Sequence, residues 1–97
     1  MPTTYWVYML HCDNDAYYTG YTTDLTKRYQ AHCNGTAACK YTRSFKPLRI
    51  AQSWKIEGTK SNAMKLEAYI KKLSRAQKLQ LISQPALLEE FFVHDNF

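Results

Sequence analysis

The residues of this sequence best suited to chemistry are Tyr8, Tyr18, Arg28, His32 and Glu67. Arg28 and His32 stand four positions apart in a stretch with helical spacing, so their side chains project from one face. The arginine fork is always charged and can stabilise the extra negative charge of a phosphate ester under attack. A single carboxylate such as Glu67 suits Mg²⁺ or Mn²⁺, which keep most of their waters and need few protein ligands.

Each of these residues also has an ordinary structural explanation. A tyrosine on a strand is usually a packing residue. A helical glutamate among lysines is usually half of a solvated ion pair, and Arg28 with His32 can be a polar helix edge. The joint arrangement of the five decides between the two interpretations, and this arrangement depends on the elements that carry them.

An N-terminal β-hairpin is predicted to carry the two tyrosines. Tyr5 to Cys12 is a continuous apolar and aromatic run, typical of a central strand with both faces covered. Turn-forming residues 13–15 follow, and Ala16 to Gly20 resumes with β-favouring aromatics. We expect Gly20 to close this second strand.

A helix of about ten residues is predicted next, between capping residues at Thr22 to Asp24 and the stop signal Asn34-Gly35. Thr36 to Lys46 has mixed polar and basic composition without a clear period, which predicts a loop. A third strand follows Pro47, and we expect Leu48, Ile50 and Trp54 to share one of its faces.

The remaining sequence predicts helices. Thr59 or Ser61 can cap the first, and residues 74–77 read as a capping box that opens the second. Pro85 near a helix start predicts a final C-terminal helix packed by its apolar side. The apolar positions of the first and last of these helices are Ala63, Leu66, Ile70 and Leu73, then Leu87, Leu88, Phe91 and Phe92.

The predicted order is therefore β-β-α-β-α-α with a C-terminal helix. This is an α+β fold in which helices flank a small three-stranded antiparallel sheet. A length of 97 residues fits a single domain over residues 1–97, with a core of about residues 5–82 and a helical extension of about residues 85–97.

The charge distribution points to a polyanionic partner. The formal net charge is +5 and the sequence pI is near 9.2. No acidic residue stands between Asp24 and Glu57, and aromatic residues are interleaved with the basic ones, so phosphate contacts and base stacking can both come from this stretch. An ordinary solvated loop is the alternative. The candidate nucleic-acid contacts are Lys27, Lys40, Arg43, Lys46 and Arg49.

Cysteine usage and hydropathy indicate a cytosolic protein. The three cysteines, Cys12, Cys33 and Cys39, form no CxxC pair and suit reduced thiols. A zinc site from these and His11 or His32 lacks the usual ligand spacing, and we do not expect one. No apolar run is long enough to span a bilayer, and the N-terminal residues lack the basic region of a signal peptide.

The hairpin sequences Trp6-Val7-Tyr8 and Tyr18-Thr19-Gly20, about ten residues apart, resemble the two halves of the GIY-YIG nuclease signature. Arg28 and His32, then Pro47, Glu67 and residues 70–74 follow in the family's order. The match covers roughly residues 5 to 82 and is similar to the small stand-alone GIY-YIG proteins of the YhbQ type, also termed UPF0213.

The resemblance implies a divalent-metal-dependent endonuclease in which Tyr8, Tyr18, Arg28, His32 and Glu67 converge on one site. It implies that Glu67 holds one Mg²⁺ or Mn²⁺ and that Tyr18 is the general base for the attacking water. Tyr8 and His32 would orient this water or relay its proton. The expected substrate is nucleic acid, DNA before RNA, recognised by structure, with DNA repair or processing as the setting.

Two positions depart from the pattern of larger GIY-YIG nucleases. Tyr21 stands where several of them have a lysine, and Leu79 where they have an asparagine. These departures keep open a non-catalytic nucleic-acid-binding module with the same fold. A third hypothesis makes the C-terminal end a docking helix or dimer contact. Its residues are Leu87, Leu88, Phe91, Phe92 and Phe97, and the sequence leaves the oligomeric state open.

Overall fold

A computed structural model describes residues 3–37 and 39–89 of the protein. The described residues form three strands and four helices, followed by three further helical residues at 87–89. In chain order these are β1 (Thr3–Cys12), β2 (Tyr17–Thr22), α1 (Leu25–Asn34), α2 (Lys40–Ser44), β3 (Pro47–Gly58), α3 (Lys60–Lys72) and α4 (Arg75–Ser83).

The three strands form one antiparallel sheet in the order β2-β1-β3, so β1 is central as predicted. Alternate residues of β1 point to opposite faces, and both faces are buried. Val7 and Met9 pack with Ala63 and Ile70 of α3. On the other face, the buried residues Tyr8, Leu10 and Cys12 pack against Tyr18, Leu25, Tyr29, Tyr41 and Ile50. The α+β fold predicted from sequence is confirmed.

The predicted common face of β3 is wrong. Trp54 pairs with Val7 and packs on the α3 face of the sheet, whereas Ile50 pairs with Leu10 and packs on the opposite face. The reason is an irregularity between Met9 and Leu10, where the partner on β3 changes from residue 52 to residue 50. One extra residue in a strand reverses the alternation beyond it. Leu48 is 59% exposed and belongs to neither cluster.

Capping residues set the helix boundaries as the sequence predicts. The Asp24 carboxylate accepts from the backbone N–H of Lys27 at the start of α1, and Gly35 ends that helix with φ 72°. Thr59 caps α3 in the same way. Ser74 and Gln77 form a reciprocal capping box at α4. These caps satisfy backbone donors that a helix end leaves unpaired.

Two boundaries differ from those predicted. The second strand continues beyond Gly20 to Thr22, because residues 20–22 remain paired with residues 6–8 of β1. The predicted loop from Thr36 to Lys46 contains the short helix α2. Its buried residue is Thr42, and Tyr41 stacks on Tyr18 with ring centroids 5.9 Å apart. A helix of five residues with one buried and one stacked side chain is too short to show helical periodicity in the sequence.

The C-terminal part of the described chain packs on the α3 face of the sheet. Residues 87–89 are helical, Leu88 is buried in the cluster of Val7 and Met9, and the Trp54 indole N–H donates to the Pro85 carbonyl at 2.9 Å. Leu87 and Leu88 therefore serve the protein's own core, which weakens the docking-helix hypothesis. Phe91, Phe92 and Phe97 lie outside the described residues. Within residues 3–37 and 39–89, no helix is both long enough and apolar enough to cross a membrane.

Candidate active site

A cavity of about 510 Å³ opens beside β2, an edge strand of the sheet, and its lining includes residues of α1 and α3. Four of the five residues singled out from sequence line it, and each comes from a different element. These are Tyr8 of β1, Tyr18 of β2, Arg28 of α1 and Glu67 of α3. His32 lies behind the cavity, fully buried, one helical turn from Arg28. The fold therefore brings together residues that span sixty positions of sequence.

Gly20 is what allows the Tyr8 ring to reach this cavity. The two residues are cross-strand partners, and a Cβ at position 20 would lie 2.5 Å from the Tyr8 Oη and 2.7 Å from its Cζ. No side chain fits at such a distance without displacing the ring. Glycine is needed at position 20 for close approach, and not as the end of a strand.

We expect Gly20→Ala to destabilise the protein by about 1–3 kcal/mol, because the added methyl overpacks against the Tyr8 ring. Urea unfolding measures the loss. Gly35→Ala is the contrasting variant, since nothing lies within 4 Å of a Cβ there and the cost comes only from the φ of 72°. A Gly20→Ala protein as stable as wild type, with Tyr8 undisturbed, would contradict the close-approach explanation.

A chain of hydrogen bonds runs inward from the cavity through His32. The Tyr8 hydroxyl lies 2.9 Å from His32 Nε2, and His32 Nδ1 lies 2.8 Å from the Thr42 hydroxyl. The Tyr18 ring stacks edge-on to the same imidazole, with centroids 5.3 Å apart. Burial, and then the positive charge of Arg28, lower the pKa of His32 to about 4. The imidazole is therefore neutral at neutral pH and has one donor and one acceptor nitrogen.

The lowered pKa of His32 predicts how stability depends on pH. The folded state binds a proton at His32 less tightly than the unfolded state does. The part of the free energy of unfolding that depends on neutral His32 is therefore fully present above the unfolded pKa of about 6.5, and it is lost as pH falls towards about 4. The loss is on the order of 2–3 kcal/mol for a fully buried group. Urea unfolding across this range measures it. His32→Gln should flatten the profile, and a slope in this variant as steep as that of wild type would contradict this origin.

The two cavity tyrosines are neutral phenols at neutral pH. Burial raises the pKa of Tyr8, although hydrogen bonding to Arg28 and its charge act in the opposite direction. Burial, followed by interaction with the Cys39 thiol, raises the pKa of Tyr18 well above its ordinary value. Neither phenol is a base in the free protein, so a base role for Tyr18 requires further positive charge near its oxygen.

Glu67 is the carboxylate on the cavity wall. Its side chain is 21% exposed, and its position on α3 lies between the buried residues Ala63 and Ile70. One oxygen accepts from the Lys71 ammonium at 3.2 Å, so Glu67 is both a cavity residue and an ion-pair partner. Within the described residues, no group of three or more His, Cys, Asp or Glu side chains is placed to hold a metal ion, and the cysteines are free thiols.

The basic residues singled out from sequence lie on or next to different elements. Lys27 lines a second cavity of about 410 Å³ that shares Thr22, Thr23 and Arg28 with the first. Lys40 and Arg43 lie exposed on α2. Lys46 and Arg49 are exposed where β3 begins, and Arg49 pairs with His11 near the far end of β1. Of the five, Lys27 is the one next to the candidate site.

Comparison with known proteins agrees with this architecture. Residues 4–80 match the family described as the GIY-YIG catalytic domain. The chain belongs to the GIY-YIG family, a family of nucleases. It is 47% identical over 85 residues to a UPF0213 protein of Clostridium perfringens, covering 88% of this chain and 89% of that protein. It is 43% identical over 79 residues to a UPF0213 protein of Syntrophus aciditrophicus, covering 81% and 90% of the two chains.

A solved GIY-YIG relative has the same fold. The solution NMR structure of a UPF0213 protein from Bacillus halodurans is 41% identical in sequence, with a TM-score of 0.52. The match covers 82% of this chain and 83% of that one. The resemblance stated from the signature residues is thereby confirmed at the level of family and fold.

The structure also locates the two departures from larger GIY-YIG nucleases. Tyr21 lines the cavity, so a phenol forms the part of the wall where a lysine at this position would bring a positive charge. Lys60, the first residue of α3, lines the same cavity and brings a basic side chain to its wall. Leu79 lies on α4, 39% exposed, and is not part of the cavity wall. Neither Lys60 nor Tyr5, another wall residue, stands in a signature motif, so the sequence did not predict them as site residues.

Proposed function

We propose that this GIY-YIG protein is a divalent-metal-dependent endonuclease that hydrolyses phosphodiester bonds of structured nucleic acid, DNA in preference to RNA. One observation carries the proposal. Tyr8, Tyr18, Arg28 and Glu67, contributed by four elements, line a single open cavity. Four separate elements have no structural reason to place an arginine, a carboxylate and two phenols on one wall, whereas phosphodiester hydrolysis uses all three groups.

Arg28 has the role of stabilising charge. Its guanidinium carries a permanent positive charge on the cavity wall and can donate two parallel hydrogen bonds to a phosphate. Negative charge on the equatorial oxygens grows as water attacks the phosphorus, so this interaction strengthens during the reaction. Arg28 therefore acts on turnover more than on binding.

The phenols have the role of handling the attacking water. Tyr18 accepts the water's proton in this proposal, with Tyr8 and His32 orienting that water from behind. Because burial raises the pKa of Tyr18, it needs the positive charge of Arg28 and of a bound cation before it can act as a base. Tyr8 contacts His32 at 2.9 Å, which fixes its hydroxyl at the wall.

Glu67 would hold the metal ion. One carboxylate beside an open cavity of about 510 Å³ fits a hard cation that retains most of its waters and takes its other ligands from substrate. A soft or fully protein-coordinated metal does not fit, because among the described residues Glu67 belongs to no group of three or more His, Cys, Asp or Glu side chains that could hold a metal ion. When bound, Mg²⁺ or Mn²⁺ supplies Lewis-acid stabilisation of the phosphate oxygens.

The substrate would enter across the two joined cavities. Lys27 lines one, Lys60 lines the other, and Arg28 lines both, which gives a path of positive charge for a nucleic-acid backbone. The exposed basic residues Lys40, Arg43, Lys46 and Arg49 would contact more distant phosphates. Phosphate contacts carry no sequence information, so we propose selection by nucleic-acid structure, as in repair or processing of branched intermediates.

Cleavage of a labelled panel tests the proposal. The panel holds single-stranded, duplex, flap and four-way-junction DNA with RNA counterparts, each incubated with Mg²⁺, Mn²⁺ or a chelator. We expect metal-dependent cleavage, abolished by the chelator, with one structured DNA preferred. Cleavage of nothing in the panel by a protein that nonetheless binds it would sink the enzyme proposal for these substrates.

A non-catalytic nucleic-acid-binding module is the second candidate. The observation that favours it is the state of the site in the free protein, where Glu67 is paired with Lys71 and both phenols are neutral. It predicts binding that is indifferent to metal and to the loss of Glu67. The same panel separates the two candidates.

A further inference from the structure

Thr42 is a buried polar residue that neither the signature nor the cavity wall accounts for. Its side chain is 1% exposed, and its hydroxyl lies 2.8 Å from His32 Nδ1. It comes from α2, which packs against α1. A buried hydroxyl is unfavourable without a hydrogen-bond partner, and the imidazole is that partner. Thr42 is thus the inner end of a chain that begins at the cavity with Tyr8.

The two ends of this chain differ in donor strength. Neutral His32 donates from one nitrogen and accepts at the other. A phenol is more acidic than an aliphatic alcohol, so Tyr8 is the better donor and Thr42 the better acceptor. The positive charge of Arg28 on the same cavity wall also acts to lower the pKa of Tyr8, against the larger effect of burial, and so favours the phenol as the donor to the imidazole. Both points place the His32 proton on Nδ1.

We propose that Thr42 is a positioning residue that holds His32 in the Nδ1-protonated tautomer, so that Nε2 accepts the Tyr8 O–H. The Tyr8 oxygen then presents lone pairs to the cavity, where it can accept hydrogen bonds from Arg28 and from a water at the phosphorus. Without the Thr42 hydroxyl, the imidazole proton moves to Nε2 and Tyr8 turns its O–H into the cavity. The catalytic consequence rests on the proposed function; the tautomer does not.

The tautomer is measured directly by nitrogen NMR of the histidine side chains in wild type, Thr42→Val and Thr42→Ser, with His32→Gln to assign the signals. Valine keeps the threonine shape and removes the hydroxyl, and serine restores it. Thr19→Val is the matched control, because Thr19 is also buried and its hydroxyl has no partner among the described residues. We expect a proton on Nδ1 in wild type, Thr42→Ser and Thr19→Val, and on Nε2 in Thr42→Val.

Cleavage kinetics test the consequence on the best substrate of the panel. We expect Thr42→Val to lower kcat roughly tenfold with KM nearly unchanged, and Thr42→Ser to restore it within about twofold. Thr19→Val should match wild type. An unchanged tautomer in Thr42→Val, or an equal kcat loss in Thr19→Val, would overturn the inference. A changed tautomer in a protein that cleaves nothing overturns the proposed function instead and leaves the assignment of the His32 proton standing.

Discussion

Glu67→Gln should lower kcat by about 10³-fold and leave nucleic-acid binding within about twofold of wild type. Glutamine keeps the size of the side chain but loses the charge that is proposed to hold a divalent cation at the cavity wall. The phosphate contacts proposed for Arg28, Lys27 and Lys60 do not involve this carboxylate, so we expect binding without metal to persist. Cleavage rates under single-turnover conditions and fluorescence anisotropy in a chelator give the two quantities.

Lys71→Ala is the control for this prediction, because it removes the ion-pair partner 3.2 Å from the same carboxylate and leaves the carboxylate in place. The Lys71 side chain is half exposed, and ion pairs with an exposed partner contribute at most about 1 kcal/mol to stability. We expect cleavage by Lys71→Ala within about twofold of wild type. A Lys71→Ala protein as inactive as Glu67→Gln would assign Glu67 a structural role and remove it as the metal ligand.

Arg28→Ala should lower kcat by about 10²- to 10³-fold while raising KM much less, because the guanidinium stabilises charge that develops during the reaction. Arg28→Lys keeps the charge without the planar fork, so it should recover part of the loss. Lys27→Ala, the neighbouring position on α1, should instead raise KM and reduce the salt dependence of binding by about one phosphate contact. Steady-state kinetics and anisotropy at several salt concentrations distinguish these patterns.

A second readout of Arg28 does not depend on catalysis. The positive charge of Arg28 contributes to the low pKa of His32, after burial. In Arg28→Ala the pKa of His32 should therefore rise, although burial keeps it below its ordinary value of about 6.5. NMR titration of the imidazole measures this shift. An unchanged His32 pKa would place the guanidinium too far from the imidazole for the proposed site.

The order of elements followed from sequence because its signals are local. Asp24, Gly35, Thr59 and the Ser74–Gln77 capping box each act within a few residues, and the apolar run of β1 marks a buried strand by itself. The prediction that Ile50 and Trp54 share one face of β3 was wrong, because the irregularity opposite Met9 arises from the pairing of two strands. The sequence of one strand does not show the register in which its partner strand pairs with it.

The candidate site was predictable where it lies in the signature and not elsewhere. Tyr8, Tyr18, Arg28 and Glu67 were singled out through the resemblance to the GIY-YIG family, and the structure places all four at one cavity. Lys60 and Thr42 were not predicted as site residues, because their places in the site depend on residues of other elements. The five basic residues predicted to contact nucleic acid remain a prediction, since spacing in a loop does not determine which side of the fold each residue occupies.

The strand pairing described above also sets the order in which the site can assemble. Pairing of β1 with β2 joins residues 6 to 16 positions apart, whereas pairing of β1 with β3 joins residues 35 to 55 positions apart. Short-range pairing closes with less loss of chain entropy, so the hairpin with both tyrosines can form first during folding. Glu67 arrives only after the long-range pairing has brought α3 against the sheet. A nascent chain that ends before residue 67 thus carries the two tyrosines and the arginine without the carboxylate that is proposed to hold the metal ion, so the proposed site is complete only after α3 has been synthesised.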